Sequence, residues 1–190
     1  MDARTDEVRV GPWQRRSRRS VYENPWLEVF HDEVLRPDGS PGIYGVVHLR
    51  NAAVGVVPLD DAGRVLLVGQ HRYTLDAHSW EIPEGGVPAG EDRLEGAKRE
   101  LREETGFEAS EWRELFRFAM SNSVTDEVGV IFQATGLTPG RAAPEASEDI
   151  EVRWVALDEA IAMIDRGEIT DLMSVGGLIR VALERGRHSP

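Results

Sequence analysis

GGVPAGEDRLEGAKRELREETGF, residues 85–107, places Glu100, Glu103 and Glu104 within one short polar segment. A Pro- and Gly-rich loop leads in, and Gly106 stands where a left-handed cap would end a helix, so the pattern predicts a helix from about Glu91 to Thr105. At about 100° per residue the three glutamates share an arc of about 100°, with Leu94, Ala97 and Leu101 forming an apolar stripe beside it. The carboxylates therefore border a core. Desolvation and mutual repulsion both penalise such a cluster. Arg99 lies one turn before Glu103 and can pair with it, but one guanidinium does not neutralise three carboxylates.

A hard divalent cation resolves the conflict, because magnesium takes oxygen ligands and joins protein carboxylates to substrate phosphates. The alternative is a solvated acidic helix face. With no cysteine in the chain, disulfides, thiolate metal sites and cysteine nucleophiles are excluded. His31, His48, His71, His78 and His188 show no paired ligand spacing, which argues against zinc.

Upstream of the helix, VYENPWLEVFHDEVLRPDGSPGIYGVVHL reads as two or three short strands turning at PDGSPG. AVGVVPL and GRVLLVGQHRY follow as a hairpin across DDAG. Downstream, strands are expected at about 112–120, 128–135 and 150–156, with a Pro- and Ala-rich loop at 137–149. Helices near 157–166, opened by Asp158, and 170–184 close the chain. Residues 1 to about 20 read as irregular, and Arg15, Arg16, Arg18 and Arg19 as a solvated or flexible arm. The overall class is α/β, a mixed sandwich of strands around one central helix.

A chain of 190 residues suits one main domain with a small N-terminal addition. No apolar run is long enough to span a membrane, no secretory signal opens the sequence, and a formal charge of −12 opposes binding to nucleic acid or anionic lipid. A cytoplasmic location is expected.

The spacing Gly85, Glu91, then Arg99-Glu100-Leu101-Arg102-Glu103-Glu104-Thr105-Gly106-Phe107 matches the signature box of the Nudix hydrolases without a departure. The resemblance implies a Nudix-type α/β/α sandwich with a mixed sheet, preceded by a small antiparallel β unit. It implies Glu100 and Glu104 as principal Mg2+ ligands (Mn2+ being a substitute), and Glu103 as a further ligand or water-orienting group. The Glu84 carbonyl would be an extra ligand, and Arg99 would orient Glu103.

The box does not choose the substrate. The strands before it, the loop SNSVTDEV and the ending VRWVALDEAIAMIDRGEITDLMSVGGLIRVAL resemble the ADP-ribose pyrophosphatase branch over about residues 20–185. That branch implies a homodimer in which residues 1–50 form an arm and dimerising β unit, and residues 51–190 the catalytic domain. Trp26 and Tyr44 stand where the branch sandwiches the base, although Trp26 can equally pack the small sheet. Arg72 is placed like the arginine that grips the pyrophosphate, its alternative being a surface salt bridge. Glu81 is expected to bond the base or sugar and contact metal, or else only to pair with Arg72. Glu127 is the leading candidate for general base, with Glu103 second, and an exposed turn is its alternative.

Two departures leave the substrate open. Pro83-Glu84-Gly85 replaces the Pro-Ala-Gly of many ADP-ribose enzymes, and the loop after the box lacks the glycines of the bacterial ones. A nucleoside diphosphate sugar such as ADP-ribose is expected, with GDP-mannose or another nucleotide sugar as rival substrates. Nucleoside triphosphate or dinucleoside polyphosphate specificity is an enzymatic rival, and a noncatalytic nucleotide-sugar sensor is the rival from another class.

Overall fold

The computed structural model describes residues 7–140 and 150–188. The chain forms two compact units, one made of the residues up to Ala52 together with Ala119–Val128, the other of Ala53–Phe118 and the residues from Gly129 onward.

In the first unit β1 (Val8–Val10), β2 (Trp13–Glu23), β3 (Leu27–Leu35) and β4 (Pro41–Leu49) make one antiparallel sheet in that order. The expectation of an irregular segment up to residue 20 is therefore corrected, since β1 and most of β2 lie in it. The arginine-rich run hides a strand because alternate residues serve opposite faces. Arg18 makes a bidentate pair with the buried Asp32, at 2.7 Å for each bond, and lies over the Phe30 ring. Asn24 shapes the β2–β3 turn, its Oδ1 accepting from the amides of Trp26 and Leu27.

The second unit is built on β5 (Ala52–Pro58), whose residues alternate between two apolar faces. Val54 and Val56, with Val130, Phe132 and Ala134 of β10 (Val128–Pro139), pack on Ala97 and Leu101 of α1 (Arg93–Thr105). On the opposite face, a side chain at Gly55 would collide with Ile131, Ile82 and Met173, and one at Gly177 with Val57 and Ile131, which places α3 (Leu172–His188) there. Helices on both faces make the α/β/α sandwich.

β5 pairs in parallel with β10 in the sheet β8-β5-β10-β9, where β8 is Glu84–Val87 and β9 is Phe107–Ala119. A second sheet, antiparallel, runs β11-β6-β7 through Glu151–Ala156, Arg64–Arg72 and Ala77–Glu81. α2 (Leu157–Asp165) packs against β6, β11 and α3.

Several boundaries differ from expectation. The segment read as loop before the box contains β8, which is short and held by pairing with the distant β5, and the unassigned stretch before it forms β7, which pairs back on β6. β9 begins at Phe107, immediately after the Gly106 cap. α2 starts from Ala156 without a side-chain cap, and Asp158 lies in its first turn. Of the loop expected at 137–149, β10 claims the start through Pro139, while 141–149 lie outside the described residues.

Candidate active site

The box helix is closed at both ends by its own sequence. Asp92 accepts from the amides of Leu94 and Glu95, and Gly106, at φ 74°, donates its amide to the Arg102 carbonyl. That fixes which way the glutamates face. Gly85 lies directly against Glu100, where an added Cβ would stand 2.2 Å from the carboxyl carbon. The glycine lets the loop backbone and the carboxylate approach this closely, and a Cβ there would push the carboxylate aside.

Arg99 is the hub of the cluster. Its guanidinium donates to Glu100 at 2.7 Å, Glu103 at 3.2 Å, both carboxylate oxygens of Glu91 at 3.3 Å and the Gly86 carbonyl at 3.0 Å. The side chain thus ties three carboxylates and the incoming loop to one planar group. Burial disfavours its charge, but the bonds from Glu91 and Glu100 outweigh this and hold its pKa above the ordinary arginine value. Glu104 is only 3% exposed and accepts from the Glu84 amide at 3.1 Å.

A second group lies beside the first, at the end of β7. Arg72 bonds both carboxylate oxygens of the buried Glu81 and reaches Glu84 Oε1 at 2.9 Å. Burial, followed by the nearby charges of Asp171 and Glu81, pushes the Glu84 carboxyl well above the usual range despite Arg72. Among the described residues Glu84 Oε2 is buried without a donor, and the Asp171 carboxyl lies near the same group. The proton that this shift favours on Glu84 would fill that gap.

Asp171 and Ser174 were not among the expected site residues. Asp171 caps α3, accepting from the Ser174 amide at 2.7 Å, and Ser174 accepts in turn from the Ile82 amide at 2.9 Å. TDLMS carries a readable capping signal; its reach to the box loop is a tertiary relationship with no local mark.

Arg72, Glu81, Glu84, Arg99, Glu100, Glu103 and Glu104 are thus gathered within the second unit. Trp26, Tyr44 and Glu127 belong to the first. Trp26 stands at the β2–β3 turn, 69% exposed. Tyr44 meets Trp13 edge-on at 5.5 Å and donates to the Ser123 carbonyl at 2.8 Å. Glu127 follows the turn after β9, its carbonyl accepting from the Met120 amide at 3.0 Å.

The donor chemistry of the box suits a hard cation. Carboxylates and backbone carbonyls are present and thiolates absent, and Gly85 leaves the loop backbone beside Glu100 uncovered. Among the described residues no three Asp, Glu or His groups already stand at coordination spacing; Arg99 and the Glu84 amide hold the carboxylates instead.

The Nudix domain model matches residues 49–172, which include the whole arrangement around Arg99. The chain is a Nudix hydrolase. The nucleoside diphosphate sugar hydrolase N-terminal domain matches residues 13–47 of this Nudix hydrolase, the stretch forming β2 to β4. It is 35% identical to the ADP-ribose pyrophosphatase of Mycobacterium tuberculosis, over 79% of this chain and 73% of that protein. It is 31% identical to the CMP-5'-(N-acetyl-N-hydroxy-3-aminopropyl)phosphonate hydrolase of Streptomyces rubellomurinus, over 94% of this chain and 86% of that one. A solved structure titled ADP compounds hydrolase shares the fold, with a TM-score of 0.81 and 21% identity over 90% of this chain and 93% of its own. Nudix hydrolases generally use divalent metal ions, in keeping with the oxygen donors of the box.

Proposed function

We propose that this enzyme hydrolyses the pyrophosphate of ADP-ribose or a related nucleoside diphosphate sugar, with Mg2+ or Mn2+, giving a nucleoside monophosphate and a sugar phosphate. The observation that carries the reading is the Arg99 hub, which ties Glu103 to Glu100 where the latter lies against the Gly85 backbone. The upstream match to a nucleoside diphosphate sugar hydrolase domain supports the substrate class.

In this reading Glu100, Glu103, Glu104 and the Glu84 carbonyl hold the metal, which when bound lowers the pKa of water and stabilises charge on phosphate oxygens. Arg99 keeps Glu103 oriented. Arg72 offers its remaining donor capacity to the pyrophosphate, and the buried Glu81 holds that arginine in place. Trp26 and Tyr44 supply aromatic surface for a base. Glu127 accepts the proton of the attacking water, with Glu103 the second candidate. Water adds to one phosphorus as the bridging P–O bond breaks, and the leaving phosphate departs as an anion. The protein works as a cytoplasmic homodimer with residues 1–50 as the dimerising part and residues 51–190 as the catalytic domain. Among the described residues no helix is long and apolar enough to cross a membrane.

A second reading is a CMP-linked phosphonate, favoured by the relative that matches 94% of the chain. Product analysis with magnesium across ADP-ribose, GDP-mannose, UDP-glucose, a CMP-linked phosphonate, a diadenosine polyphosphate and a nucleoside triphosphate separates the readings. ADP-ribose or another nucleotide sugar cleaved fastest supports the first, the phosphonate cleaved fastest the second. Cleavage of none contradicts both and favours a noncatalytic sensor.

A further inference from the structure

The loop that carries Glu127 is bound to the N-terminal sheet as an additional edge. Val47 of β4 donates its amide to the Val124 carbonyl at 2.9 Å, the Asp126 amide returns to the Val47 carbonyl at 3.3 Å, and Val47 and Thr125 form a parallel bridge. The Asp126 carboxylate then closes over the end of β4. Its Oδ1 accepts from the Leu49 amide at 3.0 Å, and its Oδ2 lies 2.5 Å from Nδ1 of His48. Two carboxylate oxygens thus hold two successive residues of β4, and alanine would lose both contacts.

The next residue is Glu127, and its main chain has little freedom left. Its carbonyl accepts from Met120, its amide donates to Thr125 Oγ1 at 3.4 Å, and Thr125 Oγ1 itself donates to the Met120 carbonyl. At the far end of the turn, Ser121 adopts φ 46°, and its carbonyl accepts from the amides of Val124 and Thr125. A non-glycine residue in that conformation is held there by its surroundings. The segment between Ser121 and Glu127 is thereby specified at both ends; Tyr44 of β4 holds its middle through the Ser123 carbonyl, and Asp126 joins the end next to Glu127 to β4.

We propose that Asp126 is a positioning residue for Glu127, which makes the N-terminal sheet a determinant of turnover and not only of binding or assembly. The inference rests on the reading of Glu127 as general base. Proton transfer by a placed carboxylate contributes about 10²–10⁴-fold, and a displacement of about 1 Å can forfeit about 10²-fold of rate. Releasing the clamp should therefore slow the chemical step while leaving the affinity for substrate alone.

The test is a double-mutant cycle on the full-length enzyme, with ADP-ribose, or the panel compound that wild type cleaves fastest, as substrate. Asp126→Ala is expected to lower kcat by about tenfold to a hundredfold with KM unchanged. In the Glu127→Gln background the same substitution should cost nothing further, because the group it positions has already lost its function. Asp126→Asn keeps the Leu49 bond and replaces the carboxylate facing His48 Nδ1 with a neutral amide. It should fold normally and show a smaller loss, again absent when Glu127 is glutamine, and it carries the test if the alanine variant unfolds. Wild-type kcat in the Asp126 variants alongside a slow Glu127→Gln enzyme would overturn this inference alone. So would losses that multiply in the double variant, which would mean that Asp126 acts elsewhere. Wild-type turnover by Glu127→Gln would overturn the inference together with the assignment of the base.

Discussion

The backbone amide of Glu84 donates to the carboxylate of Glu104 at 3.1 Å, joining the loop before the box to the last glutamate of its helix. Glu104 is buried, and a buried carboxylate is retained only where donors or a cation compensate its charge. A divalent ion on the same group is the physical complement that the metal reading supplies. The same bond orients the Glu84 peptide plane relative to the helix.

Gly85 tests whether the close approach of the loop matters. The backbone there is not left-handed, so alanine is conformationally allowed, yet its Cβ would overlap the Glu100 carboxyl carbon. Gly85→Ala should displace the Glu100 carboxylate at little cost in stability, since the end of a flexible side chain yields, and raise the magnesium concentration needed for half-maximal rate. A magnesium titration of activity with unchanged half-saturation would refute the steric role.

Arg99→Lys separates charge from geometry. Lysine retains the positive charge but cannot span Glu91, Glu100, Glu103 and the Gly86 carbonyl at once. The expected result is a kcat lower by about tenfold or more and a stability loss of about 1–2 kcal/mol from groups left without donors. Steady-state kinetics and denaturant unfolding check the two parts separately.

Glu84 gives a pH prediction. Burial, with Asp171 and Glu81, raises its folded-state pKa above the ordinary carboxylate value. Folding therefore favours the protonated acid: the contribution is fully present below the unfolded pKa of about 4.3 and is lost as pH rises through the folded pKa. Glutamine keeps the shape without that cost. In the presence of a chelator, Glu84→Gln should unfold at a higher temperature than wild type near neutral pH, with the difference shrinking as pH falls toward 4. A difference that grows on acidification would contradict the buried-acid assignment.

Trp26 is exposed at a turn whose shape depends on Asn24, so its ring contributes little to folding. Trp26→Ala should leave stability within about 0.5 kcal/mol. If the ring stacks on the base, the loss of about 1–3 kcal/mol of stacking should raise KM by about tenfold while kcat holds. Trp26→Phe should restore most of the affinity, and equal KM values for all three proteins would remove Trp26 from the site.

The box helix was legible because its determinants are local: the Asp92 cap, the Leu94, Ala97 and Leu101 stripe and the Gly106 stop all lie within a few turns. β1 and β2 were not, since Arg15 to Arg19 read as solvated until Asp32, on the next strand, is seen to accept Arg18. β7 and β8 escaped notice for a related reason. Their short Pro- and Gly-bounded segments have little propensity of their own and are held by pairing. At the site, Arg99 could be paired with Glu103 from spacing alone, whereas its bonds to Glu91 and Gly86 required the loop to fold back. The meeting of Glu84 with Asp171 is further still from any local signal, because it depends on the start of α3 meeting the chain after β7, where Ser174 accepts from the Ile82 amide.

The central claim is that the box carboxylates support metal-dependent cleavage of a nucleoside diphosphate sugar. The most direct measurement is release of AMP and ribose phosphate from ADP-ribose by wild type and Glu104→Gln, each with magnesium and with a chelator. Glutamine can still accept from the Glu84 amide, so the variant should fold as wild type does. The account predicts magnesium-dependent release by wild type and a rate at least about a hundredfold lower in the variant. Turnover by Glu104→Gln at the wild-type rate, or wild-type turnover indifferent to the chelator, would contradict it.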